Sequence, residues 1–512
     1  MGLAEELYGE EFDLAVIGGG ITGAGVARDA TIRGLDVVLF EKDDFAQGTS
    51  SSSTKLIHGG LRYLENYEFG LVREALRERE ILLNIASHLV YPSKFFFPVY
   101  KESRIFPLQL RAGLVIYDLL GWGKRMGRHN FIDPEETKRT FPELKRKGLK
   151  STGVYYDCQT DDARLALSNV LDAASRGASV ANYAEVTDLV RSGNEEGWNL
   201  TVNDKLEGDQ FAIKAKKVVN ATGPWSDDIA RNWRTEEKQF LRPTKGVHLI
   251  FPALETDVSG FFPSIHDDRL FFVIPWEGKT LVGTTDTDFS GSPDDLTVDS
   301  SDREYLISNV NHYLDEVEFE EDDVLAEFAG LRPLYSTSKG QIEESKISRD
   351  HEIIVERDSI FTIIGGKYTT YRAMAEETLD IMGTGKSSST AQKKLSGAWE
   401  EEEQKEALKA RILGNYDLTE IQVDELLHRY GRNAQVVLES TSQFPDFDVP
   451  VGDGEIPIGA QIYYSVTKEL ARKPDDIVRR RTGLFMEEGT ARKKVVKMMK
   501  RVDDQEVKLS RG

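Results

Sequence analysis

Residues 49–63 read TSSSSTKLIHGGLRY, a short stretch in which Lys55, His58, Arg62 and Tyr63 flank a Gly59-Gly60 pair. Histidine is the side chain whose unperturbed pKa lies nearest neutrality, so His58 can take a proton from a substrate hydroxyl. Any single serine of the run reads as no more than a polar loop, and the composition between Gly48 and Gly60 is that of a flexible linker. Further along, Lys367 follows Gly365-Gly366 where a strand gives way to a helix, a turn whose exposed backbone amides attract anions. Arg332 stands before Pro333, which biases it to an extended backbone; on its own it reads as a salt-bridge arginine. Arg349 beside Asp350 reads equally as a solvated charge or as that residue's partner. Taken together, three Arg/Lys sites and a histidine suit a dianionic phosphate carried on a small alcohol.

Such groups need a scaffold, and the N-terminal residues predict one. An apolar run, FDLAVI at 12–17, ends in three glycines; a helical pattern follows from 21 to 35, and strand character resumes with DVVLFEK. That is a βαβ unit. Gly18-x-Gly20-x-x-Gly23 opens its helix, with glycines for the tight turn, for close approach of a pyrophosphate and for packing of helix on strand. Glu41 ends the second strand, 18 residues after the last glycine, where a carboxylate accepts hydrogen bonds from a ribose diol. A lone GxGxxG is a weak signal, but strand, glycines, helix, second strand and acid agree on a dinucleotide. The fingerprint does not separate NAD from FAD. Further strands that stop at glycine turns, 217–220 before Gly223 and 360–364 before Gly365, favour a cofactor gripped from several sides, which suits FAD.

Composition sets the bounds. The 512 residues carry 65 Lys+Arg against 87 Asp+Glu, a net charge of −22 that excludes a basic nucleic-acid binder as the leading reading. The single cysteine, Cys158, cannot form an internal disulfide and fits a reducing compartment. No HExxH, paired CxxC or GxSxG motif is present, so no metal site is expected. GTGK at 383–386 lacks the rest of a P-loop, and residues 382–390 (MGTGKSSST) read as a linker. No apolar run reaches the ~18 residues that span a bilayer, and the acidic N-terminus is unlike a signal peptide, so a cytoplasmic location is expected. From residue 468 onward 14 Lys+Arg face 8 Asp+Glu, a locally basic end on an acidic protein.

Read as a set, DLAVIGGGITGAGVARDATIRGLDVVLFEKDDFAQGTSSSSTKLIHGGLRYLE, GVYYDCQTDDARL, VVNATGPW, GTTDTD, AGLRPL and GGKYTTYR closely resemble the FAD-dependent glycerol-3-phosphate dehydrogenase family of respiratory type, over essentially the whole chain. The resemblance implies an α/β fold in which a discontinuous FAD-binding Rossmann-like domain interleaves with a β-rich substrate cap over residues 1–390. An all-α C-terminal domain follows over 391–512. It implies oxidation of sn-glycerol 3-phosphate to dihydroxyacetone phosphate, with hydride passing to FAD and electrons then to a quinone. Gly18, Gly20, Gly23 and Glu41 would hold the ADP half of FAD. Thr49, Ser50, Ser53, Lys55 and Leu56 would line the pyrophosphate and flavin, with Gly223, Asp286, Gly366, Lys367 and Thr369 closing around it. His58 would be the base, Arg332 its partner at the substrate oxygen, and Arg62, Tyr63, Arg349 and Lys367 the phosphate site. Two rivals share these motifs: an oxidase that uses oxygen, and a flavoprotein subunit whose C-terminal domain chiefly recruits partners. Peripheral contact with the inner face of the membrane falls to residues 114–122 or to Lys493, Lys494, Lys497, Lys500 and Arg501, each equally readable as a solvated face. A homodimer is left open.

Overall fold

The computed structural model describes residues 7–103, 105–121, 126–192, 197–234, 239–335, 350–401, 403–442, 444, 447, 449–451, 456–487 and 490–511. Its first sheet is built on the predicted βαβ unit. Strand Glu11–Ile17 pairs in parallel with Val37–Phe40 on one side and with Gln210–Asn220 on the other. Ile360–Gly365 joins beyond, also in parallel. These near-continuous apolar runs are buried on both faces, as a parallel sheet requires. Helices Ile21–Arg33, Asp162–Ser175 and Tyr371–Ile381 cover one face, and a hairpin of Ala184–Arg191 with Trp198–Asp204 covers the other. Parallel strands share a direction, so the ends at Ile17, Phe40, Asn220 and Gly365 open onto one edge, where an α/β sheet binds its ligand.

The second sheet has ten strands and is largely antiparallel, with a core rich in aromatic residues such as Phe96, Phe262 and Phe271. Strand Ala326–Tyr335, which carries Arg332, lies along Leu241–Phe251 in a register that sets Arg332 opposite Thr244. At the other end of this sheet the short strand Leu56–Ile57 pairs with Leu149–Thr160, Leu56 opposite Gln159 and Ile57 opposite Cys158. The stretch that composition reads as a flexible linker is therefore a structured wall. Thr49–Ser51 form a 3-10 turn, and Ser50, Lys55, Leu56 and Ile57 are buried.

Beyond residue 400 the described residues are helical: Glu403–Asn415, Glu420–Tyr430, Ala434–Ser440, Gly459–Thr467 and Thr490–Arg511. They dock on the two-sheet body through buried ion pairs. Arg429 bonds Asp161 at 3.1 Å and Glu277 at 3.0 Å, Arg164 bonds Glu469 at 2.7 Å, and Arg480 and Arg481 each reach Asp44 at 2.6 Å. The linker at 382–390 is pinned as well, since Arg33 donates to the Lys386 carbonyl at 2.8 Å and to Thr384 Oγ1 at 3.1 Å. Lys217 takes the Met382 carbonyl at 2.6 Å, and buried Arg372 donates to Thr390 Oγ1 at 3.0 Å. Among the described residues no helix is long and apolar enough to cross a membrane.

Candidate functional site

Where the carboxyl edge of the parallel sheet meets the ten-stranded sheet there is a cavity of about 950 Å³. Its dinucleotide end is built by the glycines. Gly18 has φ +105°, and a Cβ there would lie 2.6 Å from the Ala221 carbonyl oxygen. Gly23 does not line the cavity; a side chain on it would collide with the Gly18 carbonyl, so its part is to let helix and strand approach. The Ile21–Arg33 helix points its N-terminus at the opening from Gly20, which supplies no side-chain cap, and the Ile21 amide donates to Ser50 Oγ at 2.9 Å. Glu41 lines the same end. Its two carboxylate oxygens accept from the Gly19 amide at 2.7 Å and the Asp43 amide at 3.0 Å. Burial pushes this carboxyl up from its ordinary range, and the two amides offset part of that rise.

The middle of the cavity is the 49–56 loop. Thr49 Oγ1 donates to the Leu331 carbonyl at 2.6 Å, tying this loop to the arginine strand, and Ser53 Oγ donates to Asp162 at 2.6 Å. Lys55 is the departure: it faces away from the cavity, buried, with Nζ 2.5 Å from Asp162 and 2.8 Å from the Ser51 carbonyl. A buried ammonium held by a carboxylate serves the loop's shape. Gly223, at φ +55°, starts the turn after strand Gln210–Asn220, and Gly366, at φ +84°, continues the turn after Ile360–Gly365; both line the cavity.

At the far end His58, Arg62, Tyr63, Arg332, Asp286, Lys367 and Thr369 border the same space. Arg332, an arginine on an extended strand, donates to Asp286 at 3.1 Å, to Thr284 Oγ1 at 3.0 Å and to the Thr285 carbonyl at 3.3 Å. Lys367 Nζ stands 4.4 Å from the centroid of the Tyr63 ring, so two residues 304 apart in sequence meet there. The His58 backbone is clasped by Thr369, whose Oγ1 accepts from its amide at 3.2 Å and donates to its carbonyl at 3.3 Å. Arg349 lies outside the described residues.

Several residues of the site carried no signal that isolated reading could use. His248 is buried in the cavity wall with Nε2 3.0 Å from Thr54 Oγ1 and its ring stacked on Phe328 at 5.0 Å. Burial, then Arg332 and Lys55, hold its pKa well below the ordinary histidine value, so it stays neutral. Asp157 lines the cavity and Asp162 backs it. Asp157 lies near the end of the strand whose partner Leu56–Ile57 runs into His58, and Asp162 opens the helix that follows. Among the described residues no group of three or more His, Cys, Asp or Glu could hold a metal ion.

The donor set of the cavity fits FAD. A glycine-lined helix N-terminus suits a pyrophosphate, Glu41 suits a ribose, and the opposite end leaves an aromatic and polar chamber walled by Phe272 and the 49–56 loop. Comparison with known proteins agrees. The family described as FAD dependent oxidoreductase matches residues 13–371, and that described as the C-terminal domain of alpha-glycerophosphate oxidase matches residues 388–511. The aerobic glycerol-3-phosphate dehydrogenase of Staphylococcus aureus strain MRSA252 is 35% identical over 505 residues, covering 94% of this chain and 88% of that protein. The structure of glycerol-3-phosphate dehydrogenase from Bacillus halodurans complexed with FAD superposes with a TM-score of 0.79 at 30% identity, over 98% of this chain and 92% of that one. A dithionite-reduced, FAD-bound L-alpha-glycerophosphate oxidase from Mycoplasma pneumoniae shares the fold, at TM-score 0.57 and 18% identity over 73% of this chain and 95% of that one.

Proposed function

The chain belongs to the FAD-dependent glycerol-3-phosphate dehydrogenase family, and from that premise we propose how its own residues oxidise sn-glycerol 3-phosphate to dihydroxyacetone phosphate. The observation that carries the reading is one cavity that joins a dinucleotide cradle to a chamber bordered by a histidine, two arginines and a lysine. FAD, when bound, supplies the acceptor for the hydride that leaves the carbinol carbon. Hydride leaves only as the hydroxyl loses its proton, and His58 takes that proton. Arg332 stabilises the negative charge growing on the oxygen. Lys367, Arg62 and Tyr63 hold the phosphate dianion, whose binding energy orients the carbinol. The catalytic region occupies residues 1–390 and the helical domain 391–512.

Anaerobic titration with sn-glycerol 3-phosphate, following the visible flavin absorption, tests this. Bleaching by that compound and not by glycerol is expected; a yellow protein that glycerol 3-phosphate leaves unbleached would remove the substrate assignment. The acceptor we propose is a quinone. Fast turnover with a soluble quinone and little peroxide in air is expected, and the reverse would make the protein an oxidase.

A quinone acceptor calls for contact with a lipid surface from within the cytoplasm. Helix Pro107–Leu120 supports this: Leu110, Leu114 and Tyr117 are buried, while Leu108, Ala112, Val115 and Leu119 form a second, outward apolar stripe at helical spacing. Phe106 and Leu108 are 68% and 79% exposed, a size and grouping that single surface apolar residues do not have. On Thr490–Arg511 the outward Lys493, Lys497, Lys500 and Arg501 offer a cationic face. Flotation with phosphatidylglycerol vesicles separates the two: loss at high salt assigns the lysine face, and salt-resistant binding lost in Leu108→Ser, Val115→Ser, Leu119→Ser assigns the stripe. No flotation together with twice the monomer mass would give the stripe to a second copy of the chain.

A further inference from the structure

The turn that carries His58 is braced by buried groups of three other elements. The Gly59 amide, one residue on, donates to the Tyr117 hydroxyl at 2.9 Å and lies 3.2 Å from Asp157 Oδ1. The Tyr117 hydroxyl in turn donates to Asp157, at 2.7 Å from Oδ2. Asp157 also takes Arg79 Nη1 at 2.5 Å. The three come from separate elements: Arg79 from helix Phe69–Ile85, Tyr117 from helix Pro107–Leu120, Asp157 from strand Leu149–Thr160. All are buried. Nothing but glycine fits at position 59, where a Cβ would lie 2.5 Å from the Tyr117 oxygen. A buried ion pair with a tyrosine hydroxyl on it costs desolvation that apolar packing would avoid, so its retention beside a catalytic turn calls for a reason.

We propose that Tyr117, with Asp157 and Arg79 behind it, is a positioning residue: it holds the Gly59 amide and thereby sets where the His58 ring meets the substrate hydroxyl. Thr369 clasps the backbone of His58 itself and Tyr117 the amide one residue on, so the backbone at the base is fixed by two separate elements. Tyr117 itself cannot serve as the base. Burial, and then the Asp157 charge, push its phenol far above the ordinary tyrosine range, so it remains a neutral donor. The inference rests on His58 being the base, and it concerns proton removal alone. Reoxidation of the flavin has no use for it.

Tyr117→Phe in the FAD-loaded enzyme keeps the ring and removes only the hydroxyl. The expected result, by stopped-flow under anaerobic conditions and saturating substrate, is bleaching slowed about ten- to a hundred-fold, as a base displaced by a fraction of an ångström would give. FAD content, visible spectrum and the rate at which a soluble quinone reoxidises dithionite-reduced enzyme are expected unchanged. Asp157→Asn, which keeps an acceptor oxygen, is the second variant, with the same selective slowing expected. Wild-type bleaching in Tyr117→Phe overturns the proposal, as does equal slowing of both half-reactions or loss of FAD from both variants, each of which marks a scaffold role. His58→Gln run in parallel separates the failures: if it bleaches normally the base assignment falls, whereas slow His58→Gln beside normal Tyr117→Phe removes the brace alone.

Discussion

Two groups of cations in this protein, one at a domain seam and one at the cavity, hold their charge differently. Between the two-sheet body and the helical C-terminal residues, the arginines are buried among carboxylates: Arg481 and its partner Asp44 are both fully buried, and Arg429 is held by Asp161, Glu277 and Glu425. In the cavity Arg332 keeps 22% of its side chain exposed, with Asp286 and neutral oxygens around it, and Lys367 rests on a tyrosine ring. A cation surrounded by acids has spent its charge on the fold. One that stays part-exposed at the cavity, beside neutral oxygens or a π face, has charge to offer a ligand. The comparison also bears on the C-terminal region. Asp44 follows Glu41 closely and Asp161 adjoins Asp162, so the helical domain grips the two segments that shape the dinucleotide loop.

The largest effect is expected where the charge is already spent. Asp44→Asn removes the carboxylate that Arg481 and Arg480 share, with Asp476 left to Arg480 at 3.0 Å, a loss of about 3–5 kcal/mol that thermal unfolding of the holoenzyme reads as a lowered Tm. Burial raises the Asp44 carboxyl, but Arg481 and Arg480 outweigh it and hold the group below its usual range. Its contribution is therefore present above the unfolded value, about 3.9, and is lost as pH falls through the lower folded one. An unchanged Tm would erase the distinction between the populations. Next comes Arg332→Ala, for which turnover about 10²- to 10³-fold lower is expected with FAD still bound and Tm little moved. Near-normal turnover would return Arg332 to the structural group. Lys367→Ala is milder: KM about ten- to a hundred-fold higher with kcat nearly kept, the signature of lost substrate charge pairing. A fall in kcat alone would move Lys367 from the phosphate toward the chemistry.

What could be read in the sequence follows the same division. The βαβ unit was legible because its signals are local: period, glycine spacing and a terminal acid all lie within residues 11–41, and the strand and helix bounds came out within about two residues. The 48–60 wall was not, because its rigidity comes from Asp162, 107 positions beyond Lys55, and a serine run looks the same whether or not a distant carboxylate holds it. Lys55 misled for a related reason. Its type suggested a ligand cation, and only the partner reveals which population it belongs to. Asp157 and Tyr117 went unnoticed since neither has a spacing that marks it. They reach Gly59 by register and by helix packing, which one chain read alone does not display.

A third kind of cation sets the lower bound. Lys245 bonds Asp302, which is buried, and Asp299, whose side chain is 53% exposed. Asp299 also caps helix Ser300–Tyr313, accepting from the amides of Ser301 at 3.0 Å and Asp302 at 3.1 Å. The Lys245 hydrogen bond first, and Ser301 next, hold its carboxyl well below the ordinary range. Half in water, the ion pair contributes little, while the cap is worth about 0.5–2 kcal/mol. Asp299→Ala is accordingly expected to lower the urea midpoint slightly without touching turnover, and Asp299→Asn, which still caps, to cost less. Because the folded carboxyl titrates below the unfolded one, the gap between wild type and Asp299→Ala should hold steady from pH 8 to about 5 and narrow below about 4. Equal losses in the Ala and Asn variants would instead assign the effect to charge, and Lys245 would then join the buried arginines as a cation committed to the fold.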